Sequence, residues 1–322
     1  MYKGLLITAL MLFAALPVEA QQPTNQPTIA VVGAPEEPRF SEVVGGLKKG
    51  LAELGRTSQA LQIIESKVAR ADEKVAKSIV EGLLKQRVQV LVLIGSRLLK
   101  PAREASAELP IVFITPGDPV ASGQVESLAR PGGNTTAMTF EYPELSGKRL
   151  ELLKEMLPRI QRVLTLYDPR DASPRQGAAA AREAAPKLGM ALIERETRSP
   201  EEIKRGLDAL GEADAFLAIP GGLTTGHYKE IVSVATAKRK PTMFHAHSGS
   251  TLDGLASYGA SDTEVARQAA RLIDKILKGT NAGELPVERP TKLELVINLK
   301  TAKQIGLTIP QSVLYRADKV IK

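Results

Sequence analysis

Hydrophobic positions along the chain alternate between two spacings. Short apolar runs bounded by glycine, proline or aspartate, as at 29–32, 88–94 and 111–114, predict buried strands. Between such runs, apolar residues recur three and four positions apart, as in 43–54 and 75–84, which predicts amphipathic helices. The alternation continues along most of the chain. It therefore predicts an α/β fold with parallel sheets covered by helices on both faces.

The strand–helix units fall into two runs, separated by an extended segment that ends near Phe140. We therefore predict two Rossmann-like parallel-sheet lobes joined by a hinge. The predicted first lobe comprises 28–140 plus about 260–290, because the helix that follows Gly259 is expected to return to it. The predicted second lobe comprises 141–259 plus about 291–322.

Length and composition are those of a globular protein with two domains. The chain has 322 residues, of which 43% are hydrophobic and 25% charged. Its net charge of +7 and pI near 9.4 raise the question of a nucleic-acid partner. Basic residues are, however, interleaved with acidic ones on helix faces, as in 42–53 and 73–81. This mixture is typical of a solvated surface, and we expect no nucleic-acid partner.

The first twenty residues have the pattern of a secretory signal peptide. Lys3 precedes an apolar stretch, 5–16, and Val18-Glu19-Ala20 resembles a cleavage site. The apolar stretch is too short to span a bilayer, and no later stretch is long enough. The chain has no cysteine that could carry a lipid anchor. We therefore expect a periplasmic protein that meets the membrane only through a partner.

Catalytic and metal-binding motifs are weak or missing in the sequence. There is no cysteine nucleophile, no GxSxG elbow and no Walker loop. His245 and His247 have the spacing of a metal-binding pair, but no further histidine or cysteine cluster completes a site. Asp118 could act as a general base or could fix its own loop. The sequence thus predicts a protein without cofactor or metal that is not an enzyme.

Polar residues follow several of the predicted strands directly. They include Ser96, Thr115 and Asp118 in the first lobe and Asp168, Thr224 and His245 in the second. Ligands of open α/β sheets bind at the carboxyl ends of the strands, so these positions predict a cleft between the lobes. The predicted ligand-binding residues are Gly95, Ser96, Thr115, Pro116, Gly117, Asp118, Phe140, Tyr167, Asp168, Pro220, His245 and Tyr258.

Five segments resemble the ABC transporter substrate-binding proteins of the tryptophan/tyrosine-uptake type. The resemblance extends from about Thr28 to the end of the chain. Its most specific elements are the GDPV and RPGGN motifs in that order, followed by the NLKTAKQIGL tail. The segments are Pro110–Val120, Ser127–Thr136, Glu144–Pro158, Gly254–Gly259 and Pro290–Ile321.

This resemblance implies a type I periplasmic-binding-protein fold whose two lobes are joined by three crossings and close on a small molecule. It also implies delivery of that molecule, an amino acid or related compound, to a permease driven by a separate ATPase. Hydroxyls at Ser96 and Thr115 would hold the ligand's carboxylate. Asp168, Pro220 and His245 occupy comparable loops of the second lobe.

The chain departs from the family pattern in the loop after the first strand, where it reads Pro-Glu-Glu-Pro at 35–38. Two carboxylates there would favour a cationic ligand, or would face solvent. Two other functions fit the same predicted fold. One is a periplasmic ligand-sensing module for a sensor kinase. The other is a secreted hydrolase or isomerase that uses Asp118 and His245.

Overall fold

A computed structural model of the chain describes most of the residues after the predicted signal peptide. It describes residues 26–33, 39–68, 72–141, 143–246 and 253–322, without the side chains of Arg39, Ser96, Glu141 and Pro143. The predicted signal peptide, the 35–38 loop and His247 lie outside the described residues.

The first sheet has five parallel strands in the order β2-β1-β3-β4-β5. Its central strands are buried on both faces because helices cover each face, which explains their continuous apolar sequences. A 3₁₀ turn, Ser96–Leu98, leads from β3 into the third helix. The elements are β1 Thr28–Gly33, α1 Arg39–Glu53, β2 Gln62–Lys67, α2 Glu73–Lys85, β3 Val90–Ile94, α3 Leu99–Ala105, β4 Ile111–Pro116 and β5 Thr135–Glu141.

The second sheet has seven strands in the order β12-β11-β10-β9-β8-β6-β7. All neighbouring strands are parallel except β10 and β11. The elements are α4 Pro143–Met156, β6 Arg162–Tyr167, α5 Ala172–Lys187, β7 Ala191–Glu196, α6 Pro200–Leu207, β8 Ala215–Leu217, α7 Gly222–Thr225, α8 Tyr228–Ala237, β9 Thr242–Phe244, β10 Ala256–Gly259, α9 Asp262–Leu277, β11 Glu294–Asn298, α10 Leu299–Gln304, α11 Gln311–Leu314 and β12 Lys319–Ile321.

Helix α9 follows a strand of the second sheet but packs into the core of the first lobe. Its apolar face, including Val265, Ala269 and Leu272, lies among buried residues of α1, β1 and β3. Two glycines of α1 allow the two helix backbones to touch. A Cβ at Gly46 would lie 2.3 Å from the carbonyl oxygen of Thr263, and one at Gly50 would lie 2.5 Å from that of Arg267.

The chain passes between the lobes three times: from β5 to α4, from β10 to α9, and back from α9 to β11. The two crossings after β5 and β10 are tied together by Arg149 of α4. This side chain is fully buried, and its Nε donates to the carbonyl oxygen of Tyr258 at 2.7 Å. The two-lobe α/β fold is thus confirmed, while the residue bounds assigned to each lobe stay a prediction.

The structure differs from the predicted elements in three places. The sequence predicts a helix that follows Gly95-Ser96 and runs to about Ala107. The helix ends at Ala105, because Ser106 is extended and its Oγ accepts from the amides of Glu108 and Leu109. The sequence also predicts a helix that begins at Thr225 or Gly226 and runs to about Ala237. Helix α8 begins only at Tyr228, since His227 leaves helical geometry and its ring bonds to the Leu223 carbonyl.

The third difference is the edge strand β12, which the sequence analysis did not predict. Only its backbone pairing with β11 defines it, and its side chains are half-buried or exposed, so no apolar run marks it. Among the described helices, none combines the length and apolar character needed to cross a membrane.

Candidate functional site

Loops at the carboxyl ends of the parallel strands of the two sheets meet at the predicted cleft. Two of the contacts between the lobes illustrate this. The backbone N–H of Asp118, after β4, donates to Oε1 of Gln176 on α5 at 3.0 Å. Phe140 of β5 lies against His245, which follows β9, with ring centroids 6.5 Å apart and ring planes at 29°. The lobes therefore meet through residues that the sequence places after strands.

The predicted residues of the first lobe mainly shape the loop after β4. Thr115 is fully buried, and its hydroxyl donates to the carbonyl oxygen of Pro116 at 3.0 Å. Oδ1 of Asp118 accepts from the amides of Val120 at 2.8 Å and Ala121 at 3.1 Å. This carboxylate thus fixes its own loop, one of its two predicted roles. Gly95, with φ of 108°, ends β3 in a conformation that favours glycine.

In the second lobe, Asp168 is saturated by one arginine. Its Oδ1 accepts from the backbone amide and Nε of Arg170, both at 2.9 Å, and its Oδ2 accepts from a terminal nitrogen of Arg170 at 2.7 Å. Burial by itself would raise the pKa of the Asp168 carboxyl, but the hydrogen bonds and charge of Arg170 outweigh it and hold this pKa below its usual value. Asp168 therefore fixes the loop after β6.

Tyr167, the last residue of β6, belongs to the core cluster beneath α4 and α5. Burial, followed by the charges of Glu194 and Glu196, raises the pKa of its phenol, and Arg182 opposes this shift. Arg182 lies on α5 and Glu194 on the edge strand β7. The phenol of Tyr167 therefore lies beside this edge of the sheet, on the face that α5 covers.

Asp171 differs from Asp168 because its carboxylate has few partners. It caps α5, and among the described residues its side chain accepts one hydrogen bond, from the Ser173 amide at 3.3 Å. Burial raises the pKa of the Asp171 carboxyl, while the Ser173 amide and the positive charge of Arg97 oppose the rise. Arg97 belongs to the 3₁₀ turn of the first lobe, so it acts on Asp171 across the cleft. A carboxylate with unused acceptor capacity thus faces the other lobe.

Two hydroxyls of the second lobe are buried without a hydrogen-bond partner in the described part of the chain. Ser173 is 8% exposed and Thr224 of α7 is 1% exposed. The two segments lie close together, since a Cβ at Gly221 would come within 2.7 Å of Pro174. The predicted residue Pro220 precedes this contact. Buried hydroxyls normally find a partner, so these two are groups that a ligand could satisfy.

Aromatic side chains lie buried where β5 meets the loop after β9. The His245 ring nitrogen Nδ1 lies 3.2 Å from the Tyr228 hydroxyl, and the two rings are 5.6 Å apart. Phe140 is 2% exposed and His245 is 3% exposed. Tyr258 is half-buried, and its carbonyl is the one that Arg149 binds.

Sequence reasoning missed Arg97, Asp171, Ser173 and Gln176. The alanine-rich segment predicts a helix from about Pro174 to Leu188, whereas α5 begins at Ala172 with Asp171 as its cap. An aspartate directly before a helical segment is a recognised start signal, so Asp-Ala-Ser could have been identified as the helix start. The interlobe partners of Ser173 and Gln176 have no comparable local signal.

A metal centre finds no support in the described residues, where no group of three or more histidine, aspartate or glutamate side chains has a metal-binding arrangement. His227 bonds to the carbonyl of Leu223, and His245 bonds to Tyr228.

Comparison with known families identifies the class of protein to which this chain belongs. The sequence profile of the ABC transporter substrate-binding proteins matches residues 28–321. The chain belongs to this family. The resemblance drawn from the five sequence segments is therefore confirmed, and with it the assignment as a substrate-binding protein of an ABC transporter, which binds a small molecule.

Relatives of known description extend the comparison. The tyrosine-binding protein of Clostridioides difficile strain R20291 is 23% identical over 284 residues, which cover 88% of this chain and 82% of that protein. A crystal structure of a conserved domain protein from Vibrio cholerae is 26% identical with a TM-score of 0.83, and covers 92% and 99% of the two chains. An ABC domain from Streptococcus pneumonia in complex with L-Trp is 24% identical, with a TM-score of 0.84 and coverage of 92% and 100%.

Proposed function

We propose that this substrate-binding protein carries an amino acid, held by its ammonium group at Asp171. The single observation that supports this most strongly is the Asp171 carboxylate itself, which is partly buried at the cleft and accepts only one long hydrogen bond among the described residues. Burial raises its pKa, so the charged form is poorly stabilised by the protein. An ammonium ion would supply the missing charge and up to three donors.

Other groups at the cleft suit the remainder of an amino acid. The hydroxyl of Thr224, which is buried without a partner among the described residues, can donate to a carboxylate. Phe140 and His245 offer an apolar wall for a side chain. Ten of the residues predicted from the sequence remain candidates for ligand contact, while Asp168 and Tyr167 would support the site indirectly.

The relatives favour an aromatic amino acid as the first ligand to test. One relative is described as a tyrosine-binding protein, and a solved structure of the same fold contains L-Trp. We further propose that the protein works in the periplasm after removal of residues 1–20, without a lipid anchor, and passes its ligand to a permease with a separate ATPase. In this role it carries out no chemical reaction.

The test is a thermal unfolding series of the protein with L-tyrosine, L-tryptophan, tryptamine and indole-3-propionate. A ligand at about one hundred times its dissociation constant should stabilise the folded state by about 2.7 kcal/mol, several degrees in Tm. The amino acids should raise Tm, and indole-3-propionate, which lacks the ammonium group, should not.

Variants then test the assigned residue. Asp171→Asn should abolish the rise, whereas Asp208→Asn, at an exposed carboxylate of the same lobe, should leave it unchanged. A rise with indole-3-propionate equal to that with L-tryptophan would exclude Asp171 as the ammonium partner. If none of the four compounds raised Tm, the aromatic amino-acid assignment would be removed.

A further inference from the structure

The loop after β4 is held rigidly and presents one backbone N–H group to the second lobe. The Thr139 hydroxyl donates to the Gly117 carbonyl at 2.5 Å, and the Ser122 hydroxyl donates to the Asp118 carbonyl at 2.7 Å. The Asp118 carboxylate accepts from two amides farther along the loop. Because these bonds fix the peptide planes on both sides, the direction of the Asp118 N–H group is set within the first lobe.

Helix α5 presents the matching acceptor from the second lobe. Ser173 and Gln176 are three residues apart and therefore share one helix face. Oε1 of Gln176 accepts from the Asp118 amide at 3.0 Å, in a partly buried position. A donor in such a position is costly to leave unpaired, so opening the cleft exchanges this bond for a bond to water.

Gly117 permits the close approach on which this hydrogen bond depends. Its φ of 85° lies in the region that favours glycine, and a Cβ there would stand 2.7 Å from Oγ and 2.9 Å from Cβ of Ser173. Any side chain at this position would hold the two lobes apart. Gly123, in the same loop, has φ of 69° but nothing within 4 Å of a built Cβ.

We infer that Gly117, Asp118, Ser173 and Gln176 form an interlobe latch that sets how often the cleft is closed, independently of the ligand's identity. Every atom in the contact belongs to the protein, so its strength does not depend on what the cleft binds. If ligand is held firmly only in the closed form, its apparent dissociation constant is the intrinsic one divided by the closed fraction. The latch thus scales affinity for all ligands by the same factor.

The experiment measures closure in the ligand-free protein, so its outcome does not depend on the amino-acid proposal. The chain has no cysteine, so Glu81→Cys and Lys204→Cys, at exposed positions of the two lobes, give one label site in each. Distance distributions between the labels report the open and closed populations. They are recorded for Gln176→Met, Gly117→Ala and the control Gly123→Ala, after thermal unfolding has shown that each variant is folded.

Gln176→Met keeps the side-chain length but removes the acceptor, and should lower the closed-to-open ratio about fivefold, the equivalent of a net hydrogen bond of ~1 kcal/mol. Gly117→Ala should lower it at least as much, while Gly123→Ala, which carries a similar backbone cost without the contact, should not change it. The inference is overturned if Gln176→Met leaves the ratio within twofold of the wild type. Equal effects of Gly117→Ala and Gly123→Ala would also overturn it, since backbone strain would then explain both.

Discussion

Two adjacent glycines of α1 should respond in opposite directions to substitution by alanine. Gly45 is exposed, and a Cβ built on it meets nothing within 4 Å. Gly46 is buried against α9, where its Cβ would lie 2.3 Å from the Thr263 carbonyl oxygen and 2.9 Å from Cβ of Ala266. The two positions share the same helix and the same backbone conformation, so their difference isolates the contact between α1 and α9.

The magnitudes follow from helix propensity and from packing. Alanine is favoured over glycine inside a helix by about 1 kcal/mol, so Gly45→Ala should stabilise the fold by about that amount. Gly46→Ala gains the same term, but its new methyl group would overlap a backbone carbonyl. Overpacking of a tight core costs roughly 1–3 kcal/mol, and the upper end applies because a backbone atom cannot rotate away. The expected net loss is therefore about 2 kcal/mol.

Thermal and urea unfolding followed by circular dichroism at 222 nm would measure both effects. For a domain of 150–250 residues, each kcal/mol moves Tm by about 2–4 °C, so the two variants should differ by roughly 6–12 °C. Gly50→Ala should behave like Gly46→Ala, because its Cβ would lie 2.5 Å from the Arg267 carbonyl oxygen. If Gly46→Ala raised Tm as much as Gly45→Ala, the backbone contact between α1 and α9 would be refuted.

Two further predictions concern the cleft. Burial raises the pKa of the Asp171 carboxyl, and an ammonium ligand needs its charged form. Binding should therefore release protons and strengthen as pH rises through that pKa. Calorimetry in buffers of different ionisation enthalpy would detect the released proton, and Asp171→Asn should release none. Thr224→Val removes a buried hydroxyl that has no partner among the described residues. It should stabilise the ligand-free protein by roughly 1 kcal/mol, and so raise its Tm, while weakening ligand binding. A lower Tm in thermal unfolding of the ligand-free variant would show that the hydroxyl is already satisfied.

The fold was predictable because burial leaves a strong periodic signal. Strands such as β3 are covered on both faces and therefore appear as unbroken apolar runs, and α1 places its apolar residues on the face that meets α9. The failures lie where burial is slight. The edge strand β12 is defined by pairing of its backbone with β11. Its side chains are half-buried or exposed, so its sequence has no alternation of apolar and polar residues that would predict a strand.

The candidate site was predictable only in outline. Because ligands of parallel sheets gather after strand ends, the loops that hold Thr115, Asp118 and His245 could be located without coordinates. The sequence could not show which of these side chains are free to bind a ligand. Asp168 and Asp171 are both aspartates of the loop between β6 and α5, yet Arg170 saturates the first, while the second accepts one hydrogen bond among the described residues. That distinction depends on side-chain geometry, which no sequence pattern records.

The structure also places the proposed ligand partner and the latch on one rigid element. Asp171, Ser173 and Gln176 lie within six residues at the start of α5, so closing the cleft brings all three to the first lobe together. Their effects remain separable by experiment. A change at Asp171 should discriminate between ligands with and without an ammonium group, because it alters one contact. A change at Gln176 should weaken every ligand by one common factor, because it alters the population of the closed form.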